Sequence, residues 1–100
     1  MPDKIIVSVD PLIAALVPRF LANRLADVGN IRAALASGDF ESIRVIAHGM
    51  KGTGGAYGFT EISRLGSALE EGARQRDAAA IAPMVASLEQ YLERIEVKYG

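Results

Sequence analysis

An all-α fold, an antiparallel up-down four-helix bundle with a short additional N-terminal helix, is predicted by three features of this 100-residue chain. Apolar residues recur every three or four positions through four long segments, the period of an amphipathic helix. Asp10, Asp39 and Asp77 each stand just before such a segment, where a carboxylate caps free N–H groups. The connections are short, which makes sequential helices antiparallel neighbours. Composition agrees: half the residues are hydrophobic but only 6% are aromatic, a balance that favours packed helices over sheets. The length suits one domain, residues 1–100, with a modest core.

Residues 1–9 carry Ile5, Ile6, Val7 and Val9 and read as extended. With no partner strand in view, they are expected to lie as an arm across the helices. Asp10-Pro11 is a helix start, an N-cap followed by proline at the first helical position. Pro18 removes a donor, so a short helix over 10–17 is expected, then a long one with Pro18 near its start. The long helix carries Phe20 or Leu21, Leu25, Val28, Ile31 or Ala34, and Leu35 inward, and stops at Ser37-Gly38. Asp39 caps a helix from about Phe40 to Tyr57. Thr60 is the expected cap of the next, whose stripe is Ile62, Leu65, Leu69 and Ala73 and whose end lies near Arg74 to Arg76. Asp77 caps the last helix, with Ile81, Met84 or Val85, Leu88, Leu92 and Ile95 at helical spacing. Pro83 there marks either a kink or a start nearer Ile81. The tail over 97–100 is expected to fray.

Composition removes several functions. A net charge of −1 gives no electrostatic case for nucleic acid or an anionic membrane. The absence of cysteine excludes disulfides and thiolate metal sites and fits a reducing compartment. A single histidine argues against zinc, so no metal site is expected. No apolar run approaches a membrane span, and the short apolar run near the start does not read as a signal peptide. The expected setting is the cytoplasm.

Chemistry concentrates in AHGMKGTGGAYG, from Ala47 to Gly58. It holds the only histidine, His48, and Lys51 follows three residues later. Each glycine inside a helix costs about 1 kcal/mol against alanine, so the cluster needs a packing or access reason. At about 100° per residue, Ile43, Ile46, Ala47, Met50, Gly54 and Tyr57 share one face, and His48 points about 140° from its centre. Gly52 and Gly55, four and seven residues on, share the histidine's face and leave it clear. A lone histidine is ordinarily incidental; one on a solvent face with a glycine flank suits access by a large partner. Gly58 marks either a backbone at positive φ or a close approach of another segment.

The run His48-x-Met50-Lys51-Gly52, Gly58 ten residues after the histidine, and Leu69-Glu70 resemble the signature of histidine-containing phosphotransfer (HPt) domains. The resemblance extends over roughly residues 10–95, including ALASGDFESI before the histidine and LEEGARQRD after it. It implies the same bundle and a phosphoryl group carried on His48, received from a receiver-domain phospho-aspartate and passed to, or back to, a receiver aspartate. It implies that Lys51 offsets phosphate charge, that Gly52 leaves room for the phosphate and the partner's loops, and that Gly55 extends that clearance. Partners would be response-regulator receivers and a hybrid histidine kinase, with Mg²⁺ on the receiver, no cofactor of the chain's own, and no kinase activity of its own. The chain itself is expected to act as a monomer. Leu21, Ala22, Arg44 and Val45 are candidate docking residues. Some related domains use a polar side chain to orient the imidazole; the sequence does not single out its equivalent.

Rival readings explain less. A hydrolase needs a nucleophile, a base and an orienting group. Lys51-Gly52-Thr53-Gly54-Gly55 does not fit a phosphate-binding loop, since the lysine precedes most of the glycines and no strand comes before it. A helical adaptor, or a pseudo-HPt module that only docks a signalling partner, would account for the apolar pattern and leave the glycines opposite the core unexplained.

Overall fold

Local capping chemistry places the helices where the sequence puts them. The computed structural model describes residues 3–100; Met1 and Pro2, the first residues of the expected arm, lie outside the described residues. Strand β1 (Ile5–Val9) leads into a 3-10 helix (Pro11–Leu16), then α1 (Val17–Ser37), α2 (Phe40–Ala56), α3 (Thr60–Arg74), α4 (Ala78–Arg94) and strand β2 (Ile95–Tyr99). Asp10, Asp39 and Asp77 accept from the backbone N–H groups of Leu12, Ser42 and Ala80 at 2.9–3.1 Å. The short N-terminal helix is thus present in the tighter 3-10 form, and Pro18 sits within the first turn of α1, where its missing N–H costs nothing. Gly38 ends α1 at φ 73°.

α1 packs on α2 and α4, and α3 packs on the same two, which closes the ring of a four-helix bundle. Ile31, Ile43, Met50, Ile62, Leu69, Ile81 and Leu88 fill the centre, all fully buried. Phe20 stacks on Tyr57 at 4.5 Å between ring centroids and on Phe59 at 5.3 Å, sealing the end of the bundle at the α2–α3 turn. Gly58 makes that turn at φ 85°, a conformation that a side chain disfavours, so the backbone-turn reading of Gly58 is the one realised.

Four local expectations change. The arm has a partner and the tail does not fray: β1 and β2 pair in parallel, Ile5 opposite Ile95 through Val9 opposite Tyr99. The two strands lie about ninety residues apart in sequence and find each other only once the bundle has brought the chain's ends together, so no local pattern announces the pairing. Thr60 is the first helical residue of α3, and Phe59 occupies the cap position with no side-chain hydrogen bond. Leu25 is 52% exposed, and Arg24 turns inward instead, donating to Thr53 Oγ1 at 2.7 Å and lying 2.8 Å from Asp27. Of the two readings of Pro83, the start nearer Ile81 is the one not realised: α4 starts at Ala78, capped by Asp77 as expected, with Pro83 inside it.

The closest helix approach is between α2 and α3. A Cβ on Gly66 would stand 2.7 Å from the Lys51 nitrogen, and one on Gly54 would stand 2.7 Å from the Ser63 nitrogen. Both obstacles are backbone, which cannot swing aside. Gly52 on the opposite face would meet nothing within 4 Å. Gly66→Ala should therefore lower stability by about 1–3 kcal/mol through overpacking, whereas Gly52→Ala should raise it by up to about 1 kcal/mol through helix propensity. Urea unfolding of the two variants checks the opposed signs.

Candidate functional site

α2 carries His48 outward. Ile43, Ala47, Met50 and Gly54 are buried along one face, and the histidine side chain on the other is 70% exposed. Gly49 and Gly52 beside it have no neighbour that an added Cβ would touch, so the approach to the ring is open. Gly55 would bring a Cβ only to ordinary contact, 3.8 Å from Ser63 Oγ.

From beneath, α3 supplies Glu70. Its side chain is 5% exposed, and its Oε2 lies 2.8 Å from His48 Nδ1. The hydrogen bond from His48 holds the Glu70 carboxyl below the usual carboxylate range, against desolvation and with help from Arg74 and Lys51. Glu70 is therefore ionised at neutral pH and accepts only. Nδ1 must then carry the proton of this hydrogen bond. In the neutral ring that fixes the tautomer: Nδ1–H faces Glu70, and Nε2 keeps its lone pair. Among the described residues Nε2 has no protein partner.

Cations surround the carboxylate. Lys51 Nζ lies 3.9 Å from Glu70 Oε1, beyond hydrogen-bond length, on a side chain half open to solvent. Arg74 Nη2 lies 3.5 Å from Glu70 Oε2. Ser63 Oγ donates to the Lys51 carbonyl at 2.8 Å and ties α3 to the turn of α2 that bears the lysine. Arg44, one turn before His48, grips Glu41 through two hydrogen bonds of 3.0 and 2.6 Å.

The residues expected at the site thus separate into groups. His48 and Lys51 converge on one carboxylate, and Gly52 and Gly55 keep the approach clear. Val45 is 56% exposed, on the histidine's side of α2 by helical angle. Leu21 is half-buried against the core. Ala22 is exposed, yet α1 meets α2 through Phe20 and Arg24, and Ala22 points about 160° away from Arg24. Ala22 is therefore turned away from that contact, while Leu21 lies about 60° from Arg24 on α1. Gly58 lies at the turn, ten residues beyond it.

Glu70 is the residue that sequence reasoning missed as a participant. A signal existed: Glu70 directly follows Leu69 on the apolar stripe of α3, and Gly66 lies one turn before it. A carboxylate placed against a core stripe requires a partner. Among the described residues, no group of three or more acidic, histidine or cysteine side chains is arranged to hold a metal ion.

The family model described as Hpt domain matches residues 15–98, a span that takes in all four helices. No curated protein and no solved structure matches the chain.

The lowered pKa of Glu70 has a defined consequence for stability. A carboxylate held lower in the folded state than in the unfolded chain contributes stability in full above the ordinary carboxylate range; that contribution is lost as pH falls through the folded-state value. Glu70→Gln should remove this part of the acid dependence. Urea midpoints measured from neutral to acid pH should fall less steeply for the variant than for the parent chain, and parallel profiles would contradict the assignment.

Proposed function

This chain belongs to the Hpt domain family, and we propose on that premise that it relays a phosphoryl group through His48 between receiver domains. Family membership brings a phosphotransfer role in two-component signalling, as a carrier without kinase activity of its own. The donor, the acceptor and the residue roles are our reading. The observation that carries it is the pairing of an exposed imidazole with a buried carboxylate through Nδ1, which leaves Nε2 as the outward nucleophile.

In this reading Nε2 attacks the phosphorus of a receiver's aspartyl phosphate in line. The N–P bond forms as the P–O bond to aspartate breaks, and the aspartate leaves as carboxylate. Nδ1 keeps its proton, so the ring gains positive charge as the bond forms. Glu70, already ionised and 2.8 Å away, stabilises that charge without having to reorganise. Lys51 is too far from Glu70 for a hydrogen bond and is free to turn toward the phosphoryl oxygens. Transfer onward to an aspartate is the reverse of the same step. Mg²⁺, which phosphoryl transfer ordinarily requires, would come with the receiver's acidic pocket.

The docking surface we propose centres on the open face of α2: Val45, Gly49, Gly52 and Gly55, flanked by Arg44 and Lys51. A hybrid histidine kinase carrying a receiver fits the same surface, and a cytoplasmic setting follows from such partners. The chain would dock as a monomer, since His48, Lys51 and Glu70 all come from one copy of the chain, on adjacent α2 and α3. A docking module without transfer would have no use for the carboxylate beneath the ring.

Incubation with a phosphorylated receiver should place an acid-labile, base-stable phosphate on the chain. His48→Gln should abolish the label and leave the helical spectrum unchanged; retained label would sink the assignment. Gly52→Leu should slow transfer about tenfold or more by displacing the partner, with the urea midpoint unchanged or raised. Loss of transfer only in step with unfolding would contradict the access role.

A further inference from the structure

Away from the histidine, the chain's ends build a second polar recess. A cavity of about 410 Å³ lies between β1, the α2–α3 turn and α4, lined by Ile5, Ile6, Val7, Ser8, Gly58, Thr60, Glu61 and Tyr91. Its volume is in the range of ligand-binding clefts.

Three kinds of hydrogen-bonding group face it without a protein partner. The first is the free edge of β1. Gly100 N–H donates to the Val9 carbonyl, so Val9, and by alternation Val7 and Ile5, aim their peptide groups at β2. The peptide groups of Ile6 and Ser8 then point to the opposite edge, and among the described residues no other backbone group bonds them. The second is the start of α3. Phe59 provides no side-chain cap, and the Thr60 and Glu61 N–H groups have no backbone acceptor. The third is Tyr91, 6% exposed overall, which lines the recess; its hydroxyl makes no hydrogen bond among the described residues and is open to solvent rather than sealed off. Burial, then the Glu61 carboxylate, pushes its pKa up, so the phenol remains a donor at neutral pH.

We propose that this recess is a binding site for an extended peptide segment of another protein, added as a third strand along β1. The occupant follows from spacing. The Ile6 and Ser8 peptide groups repeat at about 6.6 Å with donor and acceptor together, a pattern that another extended backbone matches along its length. A carbonyl or carboxylate of the same segment would accept from Tyr91 Oη or from the start of α3. Composition points the same way. β2 carries Glu96 and Lys98, charges of the sort that blunt an edge, while β1 is Ile-Ile-Val-Ser-Val with no charge and no proline. The Glu61 carboxylate at the rim is already engaged by Arg64, so it does not repel an acceptor-bearing segment as a free charge would.

The test uses pools of blocked random peptides of about five residues, the ordinary length of a strand, added to the nitrogen-15-labelled chain. Bound peptides should shift the Ile6, Ser8, Thr60 and Glu61 amide signals and slow exchange of the Ile6 and Ser8 N–H groups. Tyr91→Phe should weaken them about threefold to tenfold, the loss of one hydrogen bond. Ser8→Pro removes a donor from the free edge and spares the ladder to β2, so it should weaken binding while the β2 amides keep their protection. Binding unaffected by Ser8→Pro, shifts confined to the histidine face, or no binding at millimolar peptide would each overturn the proposal. So would the same shifts arising with protein concentration alone, which would assign the edge to a second copy of this chain.

Discussion

Everything at the histidine depends on how near α3 comes to α2. The two backbones touch where Gly66 faces the Lys51 nitrogen and Ala47 carbonyl, and where Gly54 faces Ser63. Side chains of ordinary size would hold helices 8–10 Å apart. Removing a Cβ from each helix lets the axes close, and only then does a glutamate on α3 reach an imidazole that points away from the core of α2. Glu70 follows Gly66 by one turn, so the notch and the carboxylate are set by the same stretch of helix. The Ser63 hydroxyl bonded to the Lys51 carbonyl pins the same crossing one turn earlier on α3.

That approach also fixes the electrostatics. Desolvation alone would push the Glu70 carboxyl up, and the hydrogen bond from His48 outweighs it, with Arg74 and Lys51 adding their fields. The carboxylate thus stays charged where an isolated buried acid would not. A charged, fixed acceptor beneath Nδ1 does two things at once: it selects the tautomer, and it stands ready for positive charge on the ring. Removing one partner would leave the others around an under-compensated buried charge, the costly arrangement for such a group. The histidine can therefore be exposed and still be held in one orientation, because its anchor, rather than the ring, is what is buried.

The parts that were legible in the sequence are those that local chemistry decides. Asp10, Asp39 and Asp77 cap helices because an acceptor two or three residues before free N–H groups acts within one turn. The outward angle of His48 follows from helical periodicity, and the choice of faces on α2 with it. What could not be read depends on residues far apart. Glu70 and His48 are separated by 22 residues, and β1 and β2 by nearly the whole chain. Arg24 displaced Leu25 from the interior because Asp27 and Thr53 offered it partners, a choice that periodicity of apolar residues does not register. The family motif takes in the histidine, the lysine, the glycines and Leu69-Glu70, and a motif along the chain does not carry what the glutamate touches across it.

The glycines of α2 then divide by face rather than by number. On the inner face Gly54 is a notch: an added methyl would strike backbone at 2.7 Å. On the outer face Gly49 and Gly52 are clearance: an added methyl would meet nothing in this chain. The same residue type is used once to bring a neighbour in and once to keep the surface low, and the two uses are opposed in sign for stability. Clearance costs helix propensity, about 1 kcal/mol per glycine, with no contact inside the domain to offset it. A helix that keeps such residues beside its exposed histidine must be held straight from elsewhere. The Phe20, Tyr57 and Phe59 stack holds its C-terminal end and the Asp39 cap its start. Between those two anchors the open face of α2 is free to serve a surface that is not part of this chain.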